Sequence, residues 1–448
     1  MADVWAEVTV EDLAADGPNA MATGPFGSAI GSRFFESDGV PVVRGSNLST
    51  DVGTRLVSDD FAYLSADKAS EFHRSIARRN DLVFTCWGTI GQVGFIDKNS
   101  PYDEYVISNK QMKLTPNAAK FDPLYLYYLF SSPQVLAQLQ RTAIGSSVPG
   151  FNLGQLRQVK LRVPPLRTQR EIAATLGAID DKIELNRQMN RTLEEIARAI
   201  FKSWFVDFDP VRGTAEVPDD IRQLFPNRLV DSPIGSIPDG WEVTPLGEQV
   251  EVTRGLSYTG AGLRDEGMPL HNLNSVLEGG GYKYDGIKHY TGEYRDRDIV
   301  RPGDLIVANT DLTQNARVVG SPAIIPALFG NETLYSQDLS RVRPRDRWPL
   351  TSRYLYLLLT THRMRWTISS YANGTTVLHL AHEGLTKPRV AVPPGKVVPR
   401  FDDIIRPMFD QQEALVVESH TLADLRDTLL PKLISGEVRI RQEPQATG

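Results

Sequence analysis

The sequence predicts an α+β protein built as a tandem duplication, in which two mixed α/β domains are each followed by a long helix. Two observations predict this fold class. A set of short motifs recurs along the chain at a nearly constant spacing, and a long stretch of heptad-spaced apolar residues follows each repeated part. The length of 448 residues also exceeds what one hydrophobic core normally supports.

The repeat is long and keeps its register. Its upstream matches drift by a few residues, as insertions in surface loops would produce. The paired segments are Tyr125–Leu129 with Tyr354–Leu358 and Val163–Pro165 with Val392–Pro394, both 229 positions apart, Gly39–Pro41 with Gly267–Pro269 at 228, and Asp81–Val83 with Asp304–Ile306 at 223. Chance resemblance would not hold one register over such a distance, so the sequence indicates a duplication.

Each repeat begins with short runs rich in Val, Ile, Phe and Thr, which predict strands, and continues with helical apolar spacing. Between the repeats, prolines are dense enough to disfavour both helices and central strands, which indicates a linker or a connector along the surface. The predicted divisions are domain 1 at 1–163, a central helix at 164–208, a proline-rich linker at 209–240, domain 2 at 241–394, a C-terminal helix at 395–436 and a tail at 437–448.

The two helices are predicted from heptad-spaced apolar residues that run from Leu166 to about Phe205 and from near Pro407 to Leu430. Pro407 suits a first turn, whereas Pro431 and Gly436 are expected to end the second helix. The apolar positions expected to pair are Ile172, Leu176, Ile179, Ile183, Leu193 and Ile200 in the central helix and Met408, Leu415, Leu422, Leu425 and Leu429 in the C-terminal helix.

We expect these helices to pair with each other as an antiparallel coiled coil with pseudo-twofold symmetry. Contacts would then be reciprocal between positions 229 residues apart. Asn186 and Asn190 interrupt the apolar seam and would fix the register at some cost in stability. The alternative is that each helix packs only on its own domain.

The composition is that of an ordinary globular protein, with 41% hydrophobic residues and no apolar run long enough to cross a membrane. The net charge of −6 argues against a uniformly basic nucleic-acid binder, although a local basic face remains compatible with it. We expect Cys86, the single cysteine, to be a buried thiol. The absence of a second cysteine and of a signal peptide favours the cytoplasm.

The sequence offers no recognisable catalytic centre. Neither Pro-Pro pair has the preceding Asp or Asn and the following aromatic residue that hold the target base of a DNA methyltransferase. A phosphate-binding loop and a nucleophile elbow are also missing. His379, His382 and Glu383 do not have a zinc-ligand spacing, so no metal is expected. A duplicated chain without chemistry is more typical of a binding protein.

Several helical motifs resemble those of type I restriction–modification specificity subunits. Gln169–Ile172, Ile179–Arg187 and Lys202–Val211 are similar to the central region of that family, and Leu429–Glu437 is similar to its C-terminal region. Ile237–Trp241 resembles the usual entry to the second target-recognition domain. The resemblance extends over nearly the whole chain, although the recognition domains match only in outline.

The resemblance implies a non-catalytic subunit that binds double-stranded DNA at a bipartite sequence, with one half-site for each domain. It further implies two copies of a modification subunit that methylate adenine with S-adenosylmethionine, and a restriction subunit that uses ATP and Mg²⁺. No cofactor is expected in this chain. The alternatives are a duplicated protein-interaction scaffold without sequence-specific DNA binding, and an enzyme with an unfamiliar active site.

Candidate DNA contacts are basic and amide residues in clusters, because phosphates and base edges are read by such groups. They are Arg74, Arg78, Arg79, Lys110, Gln111 and Lys113 in the first repeat, and Arg295, Arg297, Arg301, Arg341, Arg343 and Arg345 in the second. Trp204, Phe205 and Phe208 at the end of the central helix are expected either in a domain core or at a docking site for the modification subunit.

Overall fold

The computed structural model describes residues 5–142, 150–214, 216–312, 315–345 and 350–440. The chain divides into two compact units. Unit 1 comprises Met1–Leu185 together with Glu418–Gly448, and unit 2 comprises Asn186–Val417. Each unit therefore contains one mixed α/β part and a segment of both long helices. The predicted tail lies outside the described residues beyond position 440.

Unit 1 contains two small sheets, here called sheet A and sheet B. In hydrogen-bonding order, sheet A consists of Met21–Thr23, Gln111–Leu114, Leu82–Thr85 and Val93–Phe95, and sheet B of Ala62–Leu64, Val40–Val43, Glu104–Ile107 and Ile76–Arg78. A separate antiparallel pair joins Ala6–Thr9 to Lys160–Val163. The short helices are Val10–Leu13, Ala66–Ser70, Pro123–Ser131, Pro133–Thr142 and Leu153–Arg157, with 3-10 turns at Ser32–Phe34, Gly45–Asn47 and His73–Ser75.

Unit 2 repeats this arrangement. Its sheet A consists of Val250–Arg254, Leu339–Pro344, Leu305–Ala308 and Pro322–Ile324, and its sheet B of Leu263–Arg264, Lys288–Tyr290, Met268–His271, Thr333–Tyr335 and Ile299–Val300. Smaller sheets are formed by Glu242–Pro245 with Arg389–Val392, Leu229–Val230 with Ile237–Pro238, and Thr310–Asp311, Leu378–Leu380 and Ala372–Asn373. The short helices are Asp209–Arg212, Asp219–Arg222, Leu246–Gln249, Ser352–Thr360, His362–Ser369 and Glu383–Thr386, with 3-10 turns at Gly260–Gly262, Leu273–Ser275, Asp296–Asp298 and Ala327–Phe329.

The two units share one topology, which confirms the tandem fold. Sheet A has the same strand order in both, and sheet B places one parallel pair in its interior, Val40–Val43 with Glu104–Ile107 in unit 1 and Met268–His271 with Thr333–Tyr335 in unit 2. Even the pairing register agrees, because Val43 lies opposite Ile107 and His271 lies opposite Tyr335. Both members of this second pair come 228 positions later in the chain.

The most apolar helix of each unit starts from an equivalent cap. The Asp122 side chain accepts the backbone N–H of Tyr125 at 2.9 Å, and the Thr351 hydroxyl accepts that of Tyr354 at 3.1 Å. Such caps satisfy N–H groups that a helix start leaves without partners. In unit 1, Tyr125 to Phe130 are all buried, and Phe130 packs edge-on against Phe84 of sheet A. This helix therefore joins sheet A to the rest of the unit 1 core.

The central helix spans Leu166–Lys202 and continues into a wider turn at Ser203–Asp207. The C-terminal helix spans Val397–Ser435, so the prediction that it begins near Pro407 was wrong. Pro407 and Pro431 both lie inside it. An interior proline removes one N–H donor from a helix without ending it when packing holds the flanking turns. Gly436 follows the last turn with a φ of +77°, and this is the predicted end.

The two long helices pack antiparallel within each unit. In unit 1, the Lys182 ammonium lies 3.2 Å from the Glu418 carboxylate. In unit 2, the Gln412 amide donates to the Asn190 carbonyl at 2.9 Å, and Asn186 Nδ2 donates to the Leu415 carbonyl at 3.5 Å. Asn186 is buried, and Leu415 is its counterpart in the second repeat, 229 positions later. The contact therefore joins two equivalent positions, as pseudo-twofold symmetry predicts. The predicted pairing is confirmed in each unit.

Most of the predicted pairing residues are inside. Ile172, Leu176, Ile183 and Leu415 are buried, and Ile179, Leu193, Ile200, Met408, Leu422 and Leu429 are half-buried. Leu425 departs from the prediction because 46% of its surface is exposed. The neighbouring Arg426 takes the inward position instead, with 4% of its side chain exposed. Within the described ranges, no helix is both long and apolar enough to span a membrane.

Arg426 belongs to a buried charge cluster in unit 1. Its guanidinium donates to Asp180 of the central helix at 2.9 Å and to Asp51 of the mixed domain at 3.3 Å. Asp180 also accepts the Tyr128 hydroxyl, and Arg55 lies 3.9 Å from the same carboxylate. Burial raises the pKa of Asp180, and the hydrogen bonds from Tyr128 and Arg426 oppose that rise. One carboxylate therefore joins both long helices to the mixed part of unit 1.

We predict that Arg426→Met lowers the free energy of unfolding of unit 1 by about 3–5 kcal/mol, because it leaves the Asp180 carboxylate buried without its closest cation. Arg167→Met is the matched control. Arg167 is exposed and pairs with Glu171, one turn later in the central helix. The expected loss in the free energy of unfolding is about 0.3–0.5 kcal/mol. Urea unfolding with hydrogen exchange of unit 1 peptides measures both. Adding Asp180→Asn to Arg426→Met should restore part of the loss, and no restoration would contradict the charge argument.

Candidate nucleic-acid interface

The predicted DNA-contact residues fall into three structural groups. The first group is buried and structural. The Lys113 ammonium lies 3.4 Å from the Asp81 carboxylate at the start of a sheet A strand, and Arg341 donates to the Ile299 carbonyl at 2.6 Å. Burial raises the pKa of Asp81, and Lys113 opposes that rise. Lys113 and Arg341 therefore stabilise their sheets, and their prediction as phosphate contacts is corrected.

The second group forms ion pairs at the surface. Arg78 pairs with Glu104, Arg79 with Asp103, Arg301 with Glu332, and Arg343 binds both oxygens of Asp304. An exposed ion pair contributes only about 0–1 kcal/mol, so a DNA phosphate can replace the carboxylate partner at little cost. Arg343 is the least available of these, because its Asp304 partner is mostly buried.

The third group is exposed and consists of Arg74, Lys110, Arg295, Arg297 and Arg345. These residues lie on turns or strand ends, where long cationic side chains reach outward. The structure brings Lys110 together with Gln111, which is itself buried, on the wall of one open cleft in unit 1.

This unit 1 cleft has a volume of about 550 Å³. Its walls come from the 3-10 turns and strand ends next to sheets A and B, and they include Phe35, Arg44, Trp87, Asn109, Lys110 and Gln111. Sequence reasoning found Lys110 and Gln111 but missed the others, because they are separated by up to 76 positions and only the sheets bring them together. Trp87, half exposed beside strand Leu82–Thr85, was the one signal available.

Several cleft atoms lack partners. The Gln111 side-chain oxygen accepts the Ser108 hydroxyl, whereas its Nε2 is buried without a hydrogen-bond partner among the described residues. The Arg44 guanidinium donates through Nη2 to the Asp60 carbonyl at 2.8 Å, but its Nε is likewise buried and unmatched in that part of the chain. A buried donor without an acceptor costs about 1–3 kcal/mol, so such atoms are expected to meet a ligand or solvent.

Cys86 lies beside this cleft and is buried, as predicted. Its thiol donates to the Lys110 carbonyl at 3.0 Å, and burial raises its pKa to about 11. A thiol with such a raised pKa stays protonated at neutral pH and is a poor nucleophile. Cys86 therefore holds the turn that presents Lys110.

A glycine at the same place in both units shapes this region. A Cβ atom on Gly24 would lie 1.8 Å from the Ser108 carbonyl oxygen, and one on Gly255 would lie 2.3 Å from that of Tyr335. Neither position tolerates a side chain, because backbone cannot move away at such distances. The chain therefore crosses the neighbouring strand end in the same way in both units.

The side chains around that shared backbone differ between the units. Gln111 pairs with Thr85 in sheet A of unit 1, and Leu339 pairs with Ala308 in sheet A of unit 2. Gln111 and Leu339 are therefore equivalent positions. On the same alignment, Lys110 corresponds to Asp338 and Arg44 to Asn272. At the position equivalent to Lys110, unit 2 therefore carries an acidic residue in place of a cation.

Unit 2 has a smaller cleft in a different place, with a volume of about 290 Å³. Arg254, Asn309 and His382 lie on it, whereas the first-repeat counterparts of Asn309 and the nearby Leu380 are the buried Cys86 and Phe151. His379 lies on the strand that pairs with Thr310. Across the described ranges, no group of three or more His, Cys, Asp or Glu residues is placed to hold a metal ion.

Trp204, Phe205 and Phe208 pack inside unit 2. Phe205 contacts Phe401 and Tyr354 edge-on with ring centres 5.0 Å apart, and Phe208 packs edge-on against Trp241. All of them are buried, so they offer no free surface to a partner subunit. Of the two predicted roles, the structure supports the domain core, and the docking assignment is corrected.

His271 is a buried titratable group within sheet B of unit 2. Its Nδ1 lies 2.6 Å from the Tyr282 hydroxyl and its Nε2 lies 2.9 Å from the Thr333 hydroxyl. Burial lowers the pKa of His271 to about 3. The equivalent position in unit 1 is Val43, so the histidine replaces an apolar core residue and is held neutral.

We predict that acid weakens unit 2 between about pH 6.5 and pH 3. In that window the unfolded histidine binds a proton and the folded one does not, so the free energy of unfolding falls as pH falls, by at most about 1.4 kcal/mol per pH unit. His271→Gln keeps hydrogen-bonding capacity but cannot titrate, and His271→Val copies unit 1. Urea unfolding across this range should show the same reduced slope for both variants, and an unchanged slope would exclude His271 as the cause.

Residues 36–195 match the family described as the type I restriction modification DNA specificity domain. The chain is 28% identical over 394 residues to the type I restriction enzyme HindI specificity subunit of Haemophilus influenzae, covering 78% of this chain and 84% of that protein. It is 25% identical over 327 residues to the MjaIX specificity subunit of Methanocaldococcus jannaschii, covering 71% and 69%.

A crystal structure of a type I restriction–modification S subunit from M. genitalium shares the fold, with a TM-score of 0.53 and 13% identity over 96% of each chain. The fold is thus that of a duplicated mixed α/β protein whose long helices pair within each unit. Residues 36–195 match the specificity domain, and most of the chain is similar to type I restriction enzyme specificity subunits, the family that its helical motifs resemble.

Proposed function

We propose that this chain is the non-catalytic DNA-recognition subunit of a cytoplasmic type I restriction–modification complex, and that it binds a bipartite target with one half-site for each unit. The observation that carries this proposal is the pairing of one backbone framework with two different sets of surface side chains. Gly24 and Gly255 preserve the framework, while Lys110 and Asp338 occupy equivalent positions with opposite charge. Such a pattern suits two readers of two different sequences.

The partners follow from the same proposal. Two modification subunits would bind the chain and supply adenine methylation with S-adenosylmethionine, and a restriction subunit would supply ATP- and Mg²⁺-dependent translocation and cleavage. The part of the central helix in unit 2 offers a contact surface, because Met189 and Ile196 are one heptad apart on one face and are exposed. Exposed apolar residues in a row are typical of protein-binding surfaces.

We predict that co-expression of this chain with its modification subunit places N6-methyladenine in a gapped two-part sequence. Replacing the first predicted domain, residues 1–163, with the corresponding domain of another specificity subunit should change one half-site and leave the other intact, because each unit has its own core. Methylation profiling of the host DNA measures this. Methylation without any sequence preference would favour the interaction-scaffold alternative, and methyl transfer by the isolated chain would favour an enzyme.

The long helices are proposed to set the gap between the half-sites, since both helices contribute to both units. We predict that inserting one heptad at matched levels, after Leu185 and after Val417, changes the tolerated gap by a fixed number of base pairs. One heptad adds about 10 Å of helix and keeps the packed face in phase. A five-residue insertion is the matched control, because it rotates the packed face by about 140° and should abolish binding. Altered half-site sequences with an unchanged gap would contradict a spacer role.

A further inference from the structure

We propose that the unit 1 cleft reads the acceptor-rich edge of a guanine in the half-site bound by unit 1, with Arg44, Lys110 and Gln111 as the donors. This inference rests on the proposed DNA-recognition function and assigns the base chemistry by which one unit selects its sequence. The cleft lies entirely within unit 1 and is open to solvent.

The first support is the unmatched donors. Gln111 is only 1% exposed, yet its Nε2 has no acceptor among the described residues. The Nε of Arg44 is likewise buried without an acceptor in that part of the chain. A protein interior rarely keeps such donors without a partner, because each costs about 1–3 kcal/mol. Two of them on the wall of one cleft indicate a ligand that brings hydrogen-bond acceptors.

The second support is the balance of donors and acceptors. The Gln111 oxygen is occupied by Ser108, and the amide of Gln92 is used internally, since its Nε2 donates to the Gly45 and Leu48 carbonyls and its oxygen accepts the Thr85 hydroxyl. Apart from the Asn109 amide and the Thr89 hydroxyl, which can donate or accept, the polar side-chain groups left to face the cleft are donors. In the major groove, guanine presents two acceptors, O6 and N7, whereas adenine and cytosine each present a donor.

The third support is the apolar wall. Trp87 is 46% exposed and is held against the backbone of Gly150, where a Cβ atom would lie 2.3 Å from the indole ring. Phe35 lies on the same cleft, with the Arg44 guanidinium 6.0 Å from its ring centre. Apolar walls displace water from the base edge, and hydrogen bonds to cationic donors are stronger where water is excluded.

Unit 2 provides the internal comparison. At the positions equivalent to Arg44, Lys110 and Gln111 it carries Asn272, Asp338 and Leu339. Leu339 is fully buried on the same strand, which shows that this framework accepts an apolar residue there. The unit 2 surface has lost the cations and gained a carboxylate, so the two units are expected to prefer different base edges.

The test uses the complex of the full chain with its modification subunit and a duplex that carries the bipartite target found by methylation profiling. Each guanine of that target is replaced in turn by 7-deazaguanine, which lacks the N7 acceptor. One replacement, in one half-site only, should weaken wild-type binding about tenfold or more, the loss expected for one base contact. The variants Gln111→Leu and Arg44→Asn introduce the residue types that unit 2 carries at the equivalent positions. Each should bind the guanine duplex and the 7-deazaguanine duplex equally.

Lys110→Ala should reduce discrimination at the same guanine by about ten- to hundredfold. Lys120→Ala is its charge-matched control, because Lys120 is an exposed lysine of unit 1 outside the cleft. Lys120→Ala should leave discrimination unchanged. Thermal melting of each variant shows whether unit 1 remains folded.

Three results would overturn the proposal. Cleft variants that weaken all sequences equally, with a shallower salt dependence, would show phosphate contacts instead. Variants that retain full affinity and discrimination would show that the unmatched donors bind only solvent. A 7-deazaguanine scan without effect would exclude an N7 contact. A wild-type complex that prefers no bipartite sequence would instead refute the proposed function itself, which separates the two failures.

Discussion

The fold of unit 1 depends on one buried carboxylate. Asp180 accepts hydrogen bonds from Tyr128 and Arg426 and lies near Arg55, so a core helix, both long helices and a domain loop meet at a single charge. The position of Arg426 also requires Gly53, where a Cβ atom would lie 2.3 Å from the guanidinium. Since a buried charge is stable only with its partners in place, these elements must assemble together.

Unit 2 also contains a buried carboxylate on a long helix, at a position that is not equivalent to Asp180. Asp402 of the C-terminal helix is buried, receives two hydrogen bonds from Arg353 and is also bonded by Thr351 and Arg406. In the first repeat, the equivalent of Asp402 is Ala173, which lies one heptad before Asp180. A heptad returns to the same helix face. Both units thus place a carboxylate on the packed face of a long helix, opposite the same core helix, but one heptad apart.

The sequence predicted the parts of this fold that depend on periodicity. Motif spacing predicted the duplication, and heptads predicted both long helices and their antiparallel pairing. The errors have a common cause, because apolar spacing does not reveal a charged residue that is buried by a distant partner. The heptad spacing therefore predicts Leu425 on the packed face, where the structure places Arg426. Residue type likewise predicts DNA contacts at Lys113 and Arg341, which Asp81 and the Ile299 carbonyl hold inside.

The residues of the unit 1 cleft could also be predicted only in part from the sequence. Lys110 and Gln111 could be proposed from residue type, whereas Arg44 and Trp87 join them only when sheets A and B are assembled. Side chains on such turns contribute little to folding, and substitutions there usually change stability by less than about 0.5 kcal/mol. The backbone crossing at Gly24 and Gly255 has no such freedom. One framework can therefore carry opposite charges at Lys110 and Asp338 and remain folded.

The net charge of −6 is consistent with this division. Arg78, Arg79 and Arg301 are each paired with an acid at the surface, so their charges are neutralised in the free protein. Contact with a phosphate must displace that acid, which DNA also repels. Under the proposed function, binding through such pairs gains little from charge alone. A larger share of the affinity would then come from base contacts, which favours discrimination between sequences over general attraction to DNA.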